Sequence, residues 1–253
     1  MDEKLKDLFY QAEHYFFTAI SNRFCSFDGY ATAYYTAIKD DPLNILFIKN
    51  QTPSFRQLLD KASDFFKSDD ARWSVEIPEY LCSEIYLKDL AHYGFRPTEI
   101  AAAMALPLDI KTLSRSSILN IKPMNDRLDE WVIPLIAYPS TTAEINKDYQ
   151  ARHENALRCG YALNHFSLYE ESQVISSLTI SLNQELARID DVATLPEFQA
   201  KGYATKLMIY GLNYAAKNGA KYCFLEASQM GLSIYKKLGF NILFENQIFY
   251  RTT

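Results

Sequence analysis

The sequence predicts an α/β (α+β) fold, and three observations carry that expectation. Segments of helical and of strand periodicity are interspersed along the whole chain rather than segregated. Late in the chain, strand-like alternation up to Thr194, a short turn with Gly202 and an amphipathic run from Leu207 read as strand, turn and helix. A polar stretch, Lys111-Thr112-Leu113-Ser114-Arg115-Ser116-Ser117, lies between two mixed regions and is the expected linker. With 253 residues, 48% of them apolar, the chain can bury roughly 70 to 75% of its unfolded surface, as one large domain or two small ones.

Leu5, Leu8, Phe9, Ala12, Phe16, Ala19 and Ile20 fall at helical spacing and predict an amphipathic first helix. Residues 29–38 and 44–48 are rich in Tyr, Thr and Ile, and Asp40-Asp41-Pro42 between them predicts strand, turn, strand. Thr52-Pro53 fits the cap and first position of a helix over 54–66. A strand over 73–77, a helix over 79–93 ended by Gly94, and a strand over 98–106 follow.

Beyond the polar stretch, a short strand is expected over 118–121, with Asn125 and Asp126 capping a helix to about Ala137. Tyr138-Pro139-Ser140-Thr141 breaks that helix before a second one reaching Cys159. Residues 166–170 and 174–182 flank a turn at Glu171-Ser172-Gln173, so they read as a hairpin, and 185–194 as the next strand. A helix through Leu207, Ile209, Tyr210, Leu212, Tyr214 and Ala215 ends at Asn218-Gly219; then come a strand over 221–227, a short helix over 230–238 and an extended stretch over 241–250.

The turn before the long helix carries the chemistry. Amides that open a helix have no intrahelical acceptor, and the helix dipole favours negative charge there, so the turn suits a phosphate. Gln199-Ala200-Lys201-Gly202-Tyr203-Ala204 fits Q/R-x-x-G-x-G/A, and further on stand Leu225-Glu226-Ala227-Ser228, Gly231 and Ile234-Tyr235-Lys236-Lys237-Leu238-Gly239-Phe240. Their order and separation resemble the two late motifs of the GCN5-related N-acetyltransferases, the GNAT family. The resemblance implies a GNAT fold, a mixed and mostly antiparallel sheet flanked by helices, over residues 117–253. Residues 1–112 then form a smaller N-terminal accessory domain. Tyr86 to Phe95 echoes Tyr235 to Phe240 without a phosphate turn before it, so this domain is either a degenerate GNAT-like unit or an unrelated α/β cap.

What the resemblance implies for chemistry is transfer of an acetyl group from acetyl-coenzyme A to a primary amine, on a small molecule or on a protein lysine or N-terminus. Val192, Ala193 and Thr194 would lie along the pantetheine arm. The amides of Ala200, Lys201, Gly202, Tyr203, Ala204 and Thr205 would hold the pyrophosphate, with Gln199 and the Thr205 hydroxyl adding contacts. Tyr235 is the expected general acid, since a phenol stays protonated at neutral pH. Ser228 stands where many members carry Asn; it either contacts the cofactor near the sulfur or caps the next helix. The base is the weakest assignment: Arg188 falls where members often carry Glu, leaving Asp190, Asp191 and Glu226, with Asp191 preferred. Tyr138 to Ala143, the joint of the helix pair, is where acceptor contacts are expected. The competing reading is a catalytically silent acyl-coenzyme A binding module with a sensory or interaction role.

Other classes fit less well. A net charge of −5 argues against nucleic acid as the main partner. Cys25, Cys82, Cys159 and Cys223 have no metal-ligand spacing, and His153-Glu154 lacks the second His of H-E-x-x-H, so no metal is expected; His14, His92, His153 and His165 read as surface or packed residues. The charged start of the chain and the lack of a long apolar run point to a cytoplasmic protein acting away from membranes, as monomer or homodimer.

Overall fold

The computed structural model describes residues 2–38, 43–67, 71–108, 120–138 and 141–251. The expected linker at 111–117 and the Asp40-Asp41-Pro42 turn lie outside them. Asp2 caps α1 (Glu3–Ile20), its carboxylate accepting from the Lys4 amide at 3.0 Å. A hairpin that the sequence reading missed follows: β1 (Arg23–Phe27) turns through Asp28-Gly29, both at positive φ, into β2 (Ala31–Tyr35). Next come β3 (Ile45–Ile48), α2 (Phe55–Lys67) and β4 (Ser74–Pro78). At the start of α2 it is Ser54 rather than Thr52 that caps, its hydroxyl accepting from Gln57 N–H at 3.4 Å.

The expected helix over 79–93 is split. A 3-10 turn over Glu79–Leu81 precedes α3 (Glu84–His92), because Ser83 adopts an extended conformation and caps the Tyr86 amide at 3.3 Å. Gly94 at φ 83° then leads into β5 (Phe95–Pro107). In the second half, β6 (Ile121–Pro123) precedes α4 (Leu128–Trp131), which is only four residues long, and a 3-10 turn over Ile133–Ala137. Pro134 brings no N–H to a continuing α-helix, and Asn125, the expected cap, instead faces His165. Then follow α5 (Ala143–Arg158), capped by Thr142, β7 (Leu163–Glu170), β8 (Gln173–Asn183), β9 (Leu186–Thr194), α6 (Tyr203–Lys217), β10 (Tyr222–Ser228), α7 (Leu232–Lys237) and β11 (Asn241–Arg251).

Among the described residues the strands form one sheet in the order β1-β2-β3-β4-β11-β5-β10-β9-β8-β7-β6. The order has an internal two-fold logic. In each half an antiparallel pair (β2·β3, β8·β9) leads through a helix (α2, α6) to a parallel strand (β4, β10), then through a short helix (α3, α7) to a last strand (β5, β11). Those last strands are exchanged. β5 of the first half lies between β10 and β11, and β11 of the second half lies between β4 and β5. The echo at Tyr86 to Phe95 and Tyr235 to Phe240 marks these corresponding places: α3-Gly94-β5 and α7-Gly239-Phe240-β11.

Helices cover both faces. α1 packs Phe16, Phe17 and Ile20 against Tyr34 and Phe47 of the first half and against Trp131, Tyr149 and Ala193 of the second, so one helix spans both halves on one face. Alternate strand residues point the other way. Leu46, Ile48, Val75 and Ile77 meet α2 and α3, while Leu178, Ile180 and Ile189 meet α6. Gly211 lets α6 approach closely, since a Cβ there would stand 3.2 Å from Ile180 Cδ1.

Candidate active site

The sheet opens where the motifs meet. β9 and β10 run in parallel register only from Leu186–Arg188 against Tyr222–Phe224, beyond which β10 pairs with β5 alone. Past that point β9 carries an irregularity: Ser177 faces Ala193 and Thr179 faces Asp190, so Asp191 and Val192 together oppose Leu178. Asp191 sits at φ 58°, the left-handed region that Asp tolerates better than most residues. This bulge breaks the strand's alternation. Asp190 and Asp191 both face the α1/α5 layer, Asp190 toward Arg188 and Asp191 toward α5, while Val192 packs on the α6 side and Ala193 returns to the α1/α5 side.

At the end of β9 the chain makes a short 3-10 turn over Pro196–Phe198 and enters α6 through Ala200 at φ 59° and Gly202 at φ 81°. Among the described residues no atom lies within 4 Å of where a Gly202 Cβ would stand, and no side chain caps this helix. Its opening amides therefore face the exposed turn unsatisfied, on a helix of fifteen residues. Gln199, expected to reach the pyrophosphate, spends its amide N–H on Thr194 O at 3.0 Å and braces the turn. Thr194 is in turn tied to Ser176, hydroxyl to hydroxyl at 2.9 Å. Lys201 and Lys206 are exposed and lie over the rings of Phe198 and Tyr203 at 5.0 and 5.4 Å. The matching entry in the first half differs: Pro53 has no N–H and Ser54 caps α2 itself.

Across the opening stand β10 and α7. Ser228 accepts from Gly231 N–H through both its hydroxyl, at 3.4 Å, and its carbonyl, at 3.0 Å, closing the turn before α7, whose own N-cap position is Gly231. Tyr235 on α7 is half-buried, and burial followed by the nearby Asp190 charge pushes its phenol up to about 12, so it holds its proton at neutral pH. Its ring lies so close to Gly231 that an added Cβ would stand 2.7 Å from Tyr235 Cε2.

The carboxylates have separate fates. Arg188, aligned with the base position by sequence, is buried under α1 between the rings of Phe9 and Phe17 and holds Asp190 through Nε at 3.0 and 3.1 Å. Glu226 accepts from Asn246 at 2.6 Å and lies beside Glu76; burial first and their mutual repulsion raise the Glu76 carboxyl well above its ordinary range. Asp191 turns its carboxylate toward α5, with Oδ2 buried. Burial first, then Asp190, lift it to about 7, against the pull of the Thr179 and Tyr149 hydroxyls. Tyr149 OH donates to its Oδ1 at 2.8 Å, and Tyr138 OH donates to the adjacent Val192 carbonyl at 3.0 Å.

The sequence reading had placed acceptor contacts at the Tyr138 joint but missed Tyr149 and His153. Their i, i+4 spacing on α5 was the available signal, since it sets both on the helix face toward β9. His153 and His165 are packed side chains, as one of the two expectations had it. Among the described residues no group of three or more His, Cys, Asp or Glu could hold a metal ion, and no helix is long and apolar enough to cross a membrane.

This geometry has counterparts. Residues 126–240 match the model of the acetyltransferase (GNAT) family. No curated protein matches the sequence. Among solved structures, a functionally unknown conserved protein from Staphylococcus epidermidis is similar over 92% of this chain and 94% of its own, with 15% identity and a TM-score of 0.70. A GCN5-related N-acetyltransferase from Kribbella flavida is similar over 99% and 95%, with 12% identity and a TM-score of 0.64. A tandem GNAT protein from the clavulanic acid biosynthesis pathway is similar over 88% and 79%, with 11% identity and a TM-score of 0.58. At these identities the likeness is one of fold.

Proposed function

We propose, from the match of residues 126–240 to the GNAT acetyltransferase family, that the protein transfers acetyl from acetyl-coenzyme A directly to a primary amine. The observation that carries this reading is the uncapped entry of α6 beside the opening between β9 and β10. The residues there fit the coenzyme: bare amides, two left-handed backbone positions, and no side chain filling the space at Gly202. Acetyl-coenzyme A supplies the acetyl group as a thioester.

The chain's own residues divide the remaining work. The amides from Ala200 to Thr205 bind phosphate, and the edge formed by Val192, Ala193 and Thr194 lies along the arm. Asp191, with proton affinity near neutrality, takes a proton from an amine that arrives as ammonium. Tyr235 donates its proton to the departing thiolate. The first half, residues 1–112, is an accessory unit of the same build whose own helix entry is closed by Pro53 and Ser54, so we assign one coenzyme site to the chain. Asp191 also bears on the silent-binder alternative, because Arg188 is spent on Asp190 while the Asp191 carboxyl at the β9 bulge, held by the Tyr149 hydroxyl, keeps the capacity to take a proton.

A thermal melt with and without acetyl-coenzyme A tests the site. A specific ligand at about 100 times its Kd adds about 2.7 kcal/mol, a shift expected in the parent protein and absent in Gly202→Asp, whose carboxylate would stand in the cradle. No shift in the parent would end the enzyme reading. Binding with no thiol release over a broad amine panel would favour the silent module.

A further inference from the structure

Behind Asp191 runs a line of buried side chains that the transfer described above does not use. His153 on α5 and His165 on β7 are both 0% exposed and pack on Trp131, with ring centroids 4.6 and 4.7 Å away. His153 Nδ1 lies 2.8 Å from His165 Nε2, and His165 Nδ1 lies 2.8 Å from Asn125 Oδ1.

The hydrogens in this line are fixed from its far end. Asn125 Nδ2 donates to Leu163 O at 3.0 Å, and Asn125 Oδ1 accepts the His165 backbone N–H at 2.9 Å, so Oδ1 is an acceptor and His165 Nδ1 must carry hydrogen. Neutral His165 then has only a lone pair at Nε2, and His153 Nδ1 must donate to it. Burial holds both imidazoles neutral, His165 down to about 3 and His153 well below its ordinary range, the latter also opposed by His165. What remains on His153 is a lone pair at Nε2, and it faces Asp191 Oδ2 at 3.8 Å. Both atoms are buried and, among the described residues, without a hydrogen-bond partner. Two acceptors so placed repel each other unless one hydrogen lies between them.

We propose that His153, oriented through His165 and Asn125, is the positioning residue that makes Asp191 a base, its Nε2 lone pair receiving the hydrogen that Asp191 takes from the acceptor ammonium. This rests on Asp191 as the base of the transfer. In the step, the ammonium N–H bond breaks, its electron pair stays on nitrogen as the nucleophile, and an O–H bond forms on the Asp191 carboxyl. The resulting acid holds its hydrogen on Oδ2 toward His153, while Oδ1 goes on accepting from Tyr149 at 2.8 Å. The 3.8 Å gap is about 1 Å longer than such a bond, a distance that carboxyl rotation closes on protonation. The groups facing Asp191 are Tyr149 and His153 from α5, Tyr138 from the helix joint, Thr179 from β8, and Arg188 and Asp190 from its own strand, whose charges are committed to each other. The opposite arrangement, an imidazolium paired with a carboxylate, would put a second hydrogen on His153.

Nitrogen-15 imidazole and carbon-13 carboxyl NMR of the intact chain test this without any acceptor. Both buried histidines should be neutral Nδ1–H tautomers between about pH 5 and 8. His153→Leu should lower the Asp191 midpoint by about one unit or more, and His165→Leu, which does not touch Asp191, should move it the same way. An imidazolium or an Nε2–H tautomer at neutral pH in the parent overturns the proposal, as does an Asp191 midpoint that stays or rises in His153→Leu. Should His153→Leu not fold, the parent spectrum decides alone. Loss of transfer in Asp191→Asn with an unmoved midpoint in His153→Leu would remove His153 and keep the base; transfer retained in Asp191→Asn would remove the base and the proposal with it.

Discussion

At the scale of single residues, the base role proposed for Asp191 sets function against stability. Its carboxyl is raised to about 7 in the fold, while an unfolded chain releases that proton near 4. Between those values the native state holds a proton that the unfolded state has lost, so stability falls as pH rises through this window and levels off above it. Asp191→Asn keeps the shape of the protonated acid: its amide can donate toward His153 Nε2 and its oxygen can accept from Tyr149. That variant should lose turnover by about 10²- to 10³-fold, yet melt on the order of 5 °C higher at pH 8, with the gain shrinking toward pH 4. Calorimetry across that range, beside an acetyl-transfer assay, checks both signs. In the parent, turnover should rise with pH through about 7 as the base is freed. The sequence offered Asp191 only as one of three carboxylates. Strict alternation places Asp190 and Asp191 on opposite faces, and nothing in the letters announces the bulge that puts them on the same one.

At the scale of elements, two helix entries define the candidate site. α6 was legible because its periodicity and its Gly202 turn are local signals, and the left-handed Gly202 bears them out. α7 depends on a closer fit, since the Tyr235 ring lies over Gly231 where even a methyl group would collide at 2.7 Å. Gly231→Ala should therefore push the phenol out of line and lower turnover about ten- to a hundredfold, leaving coenzyme A affinity nearly unchanged. Tyr235→Phe should reproduce the same split, and an affinity loss as large as the turnover loss in either variant would count against the acid role. Where the reading of elements failed, the cause was local competition. Ser83 took a cap inside a run that looked continuous, Pro134 stopped a helix by lacking a donor, and Asn125 was drawn from the expected cap to a buried histidine. Each is a choice between partners that periodicity cannot rank.

At the scale of the whole molecule, the sheet order was the least legible feature. Mixed helices and strands, the helix–glycine echo and the late motifs could all be read along the chain, but β5 and β11 exchange places through pairings with strands distant in sequence. The exchange predicts that residues 120–251 alone will not fold, since β10 and β11 would lose the strand between them and expose long unpaired edges. Expression of that fragment should yield insoluble or protease-sensitive material, and the full chain should unfold in a single cooperative transition by calorimetry; a soluble, protected fragment would show that β5 is dispensable. β5 also imposes an order on biogenesis. Its neighbours β11 and β10 begin at Asn241 and Tyr222, so residues 95–107 leave the ribosome more than a hundred positions before either partner exists. The first half cannot complete its sheet until β10 and β11 have been made, so the edges of β5 stay open over that interval and closure is a late, long-range step.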